Sequence, residues 1–129
     1  MNREHPNITV LKKFDPANPD TIAEVMDPDF IWHYINPELP ELEGDYQGLS
    51  GLTNFFKKLG SRTGDSFKVH PLAIVPLGDA LVITHVKDTM INDGKRMQID
   101  AVVLWCIKNG KLKEAWDIPV LHTAKFKNQ

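Results

Sequence analysis

The second half of this chain limits its fold most. After Gly64, four apolar-rich runs follow one another: Phe67 to Val75, Ala80 to Met90, Met97 to Ile107 and Leu112 to Val120. Only Pro76-Leu77-Gly78-Asp79, Asn92-Asp93-Gly94-Lys95 and Lys108-Asn109-Gly110-Lys111 separate them. Such segments carry hairpin-type turn chemistry, so neighbouring runs pair antiparallel and the region forms a meander sheet.

Before Gly64 the signals are helical. In Leu49 to Gly60 the residues Leu49, Leu52, Phe56 and Leu59 form one apolar stripe, with Ser50 placed to cap the start and Gly60 the end. Pro19-Asp20 opens a second short helix through Met26, closed by Pro28, and a third runs from Ile8 to Phe14. A short strand is expected at Phe30 to Ile35. Helices first and a meander afterwards make an α+β layout, with about three helices over one curved sheet. A length of 129 residues gives one domain, residues 1–129, with no internal repeat or flexible linker.

Composition narrows the function. Fifteen basic against 17 acidic residues leave a net charge of -2, with neither sign massed along the chain, so nucleic acid is not an expected partner. The tail Lys125-Phe126-Lys127 is by itself too short to specify one. With a single cysteine, Cys106, no intramolecular disulfide or paired-cysteine zinc motif is possible, which fits a reducing compartment and an inert buried thiol. The polar start and the lack of a long apolar run point to the cytoplasm and away from a membrane. No glycine-rich nucleotide loop, HExxH or GxSxG sequence occurs, so neither a cofactor nor a metal is expected.

Strand parity sorts the polar residues. His85 falls with Leu81 and Ile83, Asp100 with Val102, Leu104 and Cys106, and Asp117 with Lys113 and Ala115. Both sets on each strand are largely apolar, so both faces of the sheet should meet protein. Helices suffice for one, and a second subunit is expected on the other, with Val103, Trp105 and Trp116 as contacts. On the remaining face His85, Asp100 and Asp117 could gather as a proton-transfer cluster in a concave space. The alternative is that Asp100 sits beside Lys95 or Arg96, Asp117 is solvated and His85 bonds backbone. Trp32 and Tyr34 share one face of the aromatic segment around Phe30 and could line a pocket or serve as core, while His33 takes the opposite face. The acidic stretch Pro37 to Gly48 reads as a rim loop.

Several of these residues carry a resemblance: the strand after Asp27-Pro28-Asp29-Phe30, then Tyr46-Gln47-Gly48, Phe55-Phe56, Gly78-Asp79 and the closing Gly110 to Asp117. The chain resembles the SnoaL-like branch of the nuclear transport factor 2-like superfamily from about Asp20 to Pro119. That resemblance implies a cone-shaped α+β barrel of the cystatin-like type with a deep cavity. It also implies dimerisation through the outer sheet face, and relatives that include polyketide cyclases, ketosteroid isomerases, epoxide hydrolases and non-catalytic binders. The isomerase base would fall near Tyr34 and its protonated donor near Val102, so both groups are absent. The epoxide hydrolase arginine would fall near His85 and its aspartate near Lys87, which disfavours that reaction. The cyclase aspartate corresponds to the region of Asp117.

Two functions follow as expectations. One is cofactor-free acid–base chemistry on a small apolar carbonyl compound. Asp117 or Asp100 would act as base, His85 or Tyr34 as donor to the enolate oxygen, and Trp32, Tyr34, His33, Val102 and Phe56 as ligand contacts. The other is a non-catalytic ligand-binding or structural dimeric module with the same cavity.

Overall fold

The turns adopt the geometry their residues favour. Asp93-Gly94 and Asn109-Gly110 both hold positive φ (52° and 77°, 54° and 74°), the conformation whose twist matches two antiparallel strands joined by a two-residue loop. They connect β4 (Leu81–Asn92) to β5 (Lys95–Lys108) and β5 to β6 (Lys111–Asn128), and β3 (Lys68–Leu77) completes the meander. The computed structural model describes residues 4–128. Ahead of the meander come α1 (Pro6–Leu11), α2 (Pro19–Val25), β1 (Met26–Tyr34), β2 (Gly44–Gln47) and α3 (Gly48–Thr63).

The expected α+β architecture is present: one six-stranded sheet in the order β2-β1-β6-β5-β4-β3. The sheet is curled rather than closed into a barrel, since β2 and β3 are separate edges. Two local expectations change. The strand expected at Phe30 begins at Met26 and runs parallel to β6, the one parallel pair among the described strands. The end of the acidic rim segment is β2, paired antiparallel with β1.

Helix α3 connects one edge strand, β2, to the other, β3. Its 16 residues give ~24 Å of length, close to the ~24 Å width of six strands. It does not stop at Gly60. The Gly60 carbonyl instead accepts the N–H of the cap residue Gly64, which takes the left-handed conformation at φ 61°. Leu52, Phe55 and Leu59 turn one stripe of α3 onto the sheet and are at most 5% exposed.

Register fixes which side chains meet that helix. Thr84, Val103 and Asp117 are consecutive partners across β4, β5 and β6, and Tyr34 on β1 pairs with Asp117. Cross-strand partners share a face, and buried Val103, Tyr34 and Trp32 identify it as the inner, helix-covered face. Val103 and Trp105, expected as subunit contacts, therefore point into the core, at 6% and 4% exposure. Trp116, the third, does lie on the outer face, where its ring stacks on His33 at 5.3 Å.

Candidate functional site

The helices do not fill the curl of the sheet. Between α3 and the inner faces of β1, β4, β5 and β6 lies a cavity of about 430 Å³, within the usual size of small-molecule sites. One end is closed by aromatic packing: Phe14 lies 6.0 Å from Trp32 and 4.9 Å from Trp105, and the two tryptophans are 5.6 Å apart. Trp105 Nε1 donates to Thr84 Oγ1 at 3.0 Å, whereas buried Trp32 Nε1 has no partner among the described residues. The other end reaches the surface beside Asn92, Phe126 and Arg62. Arg62 is the only cation in the described lining and pairs there with Glu41 at 3.5 Å and Asp93 at 3.7 Å.

Besides Glu38, which is exposed, two carboxyl groups line this apolar space, Asp117 on β6 and Asp88 on β4. Neither forms an ion pair among the described residues. Burial holds the Asp117 carboxyl well above the ordinary carboxylate range, and the charge of Asp88 pushes it further up. The shift favours the protonated form, which can donate a hydrogen bond. Beside it on the same face is Tyr34, whose phenol is also kept protonated, chiefly by burial. Asn36 donates its Nδ2–H to the Tyr34 oxygen at 3.0 Å and is itself fixed by the Glu38 N–H at 3.0 Å and by the Glu43 carboxylate at 2.9 Å. With its oxygen accepting from Asn36, the phenol keeps its own proton to donate elsewhere.

Asp88 is 9% exposed, and its Oδ1 has no partner among the described residues. Burial, and then the charge of Asp100 across the sheet, push its carboxyl up to about 7. Both carboxyls are thus raised, and Asp88 is poised to gain or lose its proton near neutrality.

The other expected site residues divide between the faces. Trp32, Tyr34 and Phe56 line the cavity. His85, Asp100 and Val102 lie on the outer face, so the expected gathering of His85, Asp100 and Asp117 does not occur. The physical reason is solvation: His85 and Asp100 hydrogen-bond each other at 3.1 Å with side chains 41% and 28% exposed, a less costly state than burial. His33 is also outside, between Asp45 Oδ1 at 2.6 Å and Glu114 Oε2 at 2.5 Å. Burial pulls down the pKa of that ring, but its bonds to Glu114 and Asp45 and their charges together raise it above the usual histidine value.

Asp88 is the functional candidate that the sequence reasoning missed, although a signal was present. Continuing the set Val82, Thr84, Val86 by two residues arrives at Asp88, the one charged group on that side of β4.

A six-stranded curled sheet and a helix spanning its edges define an α+β fold of the cystatin-like or NTF2-like class. The sequence comparison carries this further: residues 10–115 match the SnoaL-like domain, and the chain belongs to that family. No curated protein matches. Among solved structures it is similar to Bal32a from a soil-derived mobile gene cassette, at 23% identity and TM-score 0.77, covering 92% of this chain and 89% of that one. It is also similar to TerC co-crystallised with polyporic acid (21%, TM-score 0.75, covering 91% and 93%). A third is a protein from Jannaschia sp. assigned as a SnoaL-like polyketide cyclase (19%, TM-score 0.72, covering 95% and 92%). At these identities the likeness is one of fold. No helix is long and apolar enough to cross a membrane among the described residues.

Proposed function

We propose that the cavity binds a small, mostly apolar carbonyl compound and catalyses its enolisation, the step shared by isomerisation, aldol-type cyclisation and dehydration. The observation that carries this reading is the pair of carboxyls, Asp88 buried and Asp117 partly buried, facing one apolar cavity with no cation paired to either among the described residues. Asp88, in its ionised form, takes a proton from the carbon next to the carbonyl. The C–H electron pair becomes the new C=C bond and the carbonyl π pair moves onto oxygen. Protonated Asp117 and the Tyr34 phenol donate hydrogen bonds to that oxygen as its charge grows. In a conjugated dienolate, return of the proton from Asp88 to the γ-carbon completes an isomerisation; attack of the enolate on a second carbonyl carbon forms a C–C bond, and the alkoxide left there takes the proton back from Asp88 to complete a cyclisation. The co-crystallisation of TerC with polyporic acid agrees with an organic occupant for a cavity of this fold.

The test needs no native substrate. Incubation of α-tetralone with the protein in D₂O, followed by proton NMR, should show loss of the α-proton signal faster than in buffer. Asp88→Asn should remove the acceleration. Binding of the ketone without any exchange would favour the non-catalytic module, and no binding would refute the reading.

The homodimer belongs to the same proposal. Val75, Leu77 and Ile118 are 47%, 43% and 39% exposed and share the outer face with Trp116, an apolar surface suited to a second copy. Light scattering that returned the monomer mass at micromolar concentration would reject this arrangement.

A further inference from the structure

On the outer face, at the end of the sheet farthest from Trp116, register assembles a charge cluster that is scattered along the sequence. Lys68, Thr89, Gln98 and Lys125 are successive cross-strand partners over β3, β4, β5 and β6. The next outward-facing row is Ile91, Arg96 and Lys127. Together they line a shallow groove of about 880 Å³, in whose described lining Asp65 is the only acid. None of Lys68, Arg96, Lys125 and Lys127 forms an ion pair among the described residues. Arg96 directly opposes Lys127 across the ladder, an arrangement of like charges that weakens strand pairing. Four unneutralised cations in one groove, on a chain of net charge -2, indicate an anionic occupant.

Size and surroundings distinguish between anions. Lys68 to Lys125 spans three strand gaps, ~14 Å, and the cations sit on long exposed side chains rather than converging on one point as a small phosphate site requires. Asp65 borders the patch at one side, and the next row inward sets Asp100 against Lys87. Apolar surface is interleaved, with Ile91 and Phe126 exposed by 38% and 59%.

We propose that this groove docks a short acidic, amphipathic segment of a partner protein. Its carboxylates meet Lys68, Arg96, Lys125 and Lys127, and its apolar side chains rest on Ile91 and Phe126. An extended segment of about five residues covers the ~14 Å span.

The test uses a fluorescein-labelled peptide, Glu-Leu-Glu-Glu-Leu-Glu, titrated with the full chain and read by fluorescence anisotropy. Tripolyphosphate and an oligouridylate RNA serve as competing anions. The expected result is binding that weakens with added salt and falls at least ~10-fold in Lys125→Glu/Lys127→Glu. Lys125 and Lys127 do not line the cavity, so α-tetralone binding by that variant reports that it is folded; Lys68→Glu/Arg96→Glu, on other strands, should produce the same loss. Amide shift changes on the unaltered protein should fall on the four cations and Thr89. The proposal is overturned if the peptide does not bind at low salt. It is also overturned if charge reversal leaves binding unchanged, or if the RNA or tripolyphosphate displaces the peptide at equal or lower concentration.

Discussion

Replacing Asp88 with Asn should stabilise the protein at neutral and alkaline pH while leaving it unchanged in acid. Asp88 has a native carboxyl pushed up to about 7, against 3.8 for the ordinary side chain. Below that lower value both folded and unfolded chains hold the proton, and Asp88 costs nothing. As pH rises further the unfolded chain releases its proton while the native one retains it, so stability falls by about 1.4 kcal/mol per pH unit. The loss ends once pH passes the native value, having reached at most ~4 kcal/mol. An uncharged amide at this position carries no such penalty, and the unpartnered Oδ1 position is no worse for an amide than for an acid. For a chain of 129 residues the unfolding entropy is ~0.27 kcal/mol per degree, so Tm at about pH 8 should rise by roughly 7 to 15 °C, the lower figure allowing for half the penalty being relaxed by water. Calorimetry of both proteins from about pH 4 to pH 8.5 measures this directly. Parallel profiles, or a variant less stable at pH 8, would refute the placement of Asp88 as a buried, unpaired acid.

Three further outcomes follow from the geometry. Tyr34→Phe removes a donor at the carbonyl position and leaves the Asn36 amide without its acceptor; α-tetralone exchange should fall ~10²-fold while ketone affinity changes little. Gly51→Ala should destabilise the fold because a Cβ there meets the Tyr46 backbone at 2.9 Å, whereas Gly60→Ala meets only the end of the Asp65 side chain. Urea unfolding should therefore separate the two, with the second variant neutral or gaining up to ~1 kcal/mol from helix propensity. His33 should titrate above the ordinary histidine value, and Glu114→Gln should lower it in an NMR titration. The sign is that of a base stabilised in its charged form: its contribution is complete below the unfolded value of 6.5 and disappears as pH rises through the native one.

Much of this architecture was legible because turn chemistry is local. Asn109-Gly110 and Asp93-Gly94 specify their hairpins by themselves, and the apolar stripe of α3 announces which elements share a core. Less legible were features set by pairing with distant strands. The four residues Gly44–Gln47 become β2 only because β1 offers them an edge, and Gly60 stays inside α3 because packing on the sheet carries the helix on to Thr63.

The site itself failed to emerge for a related reason. Parity divides a strand into two sets but does not say which set points inward, and here both sets are apolar. His85 and Asp100 looked like catalytic groups because they interrupt such a set, yet the same interruption is what a solvated pair produces. Bulk decides the question: Ile99, Val103 and Trp105 fill the inner face of β5, where Val102 and Leu104 remain partly exposed outside. The β6 parity is further disturbed at Lys113, where the register with β5 shifts and Leu112 joins Ala115 and Asp117 inside. A second irregularity lies between Val120 and Lys125, patched by Thr123 Oγ1, which accepts the Asp100 N–H and donates to the Val120 carbonyl. Beyond that bulge the same strand places Phe126 at the rim shared by the cavity entrance and the basic groove, and Lys125 and Lys127 along the groove alone. The last strand thus serves both faces of the sheet: Asp117 supplies the acid inside, and the lysines that follow supply the charge outside.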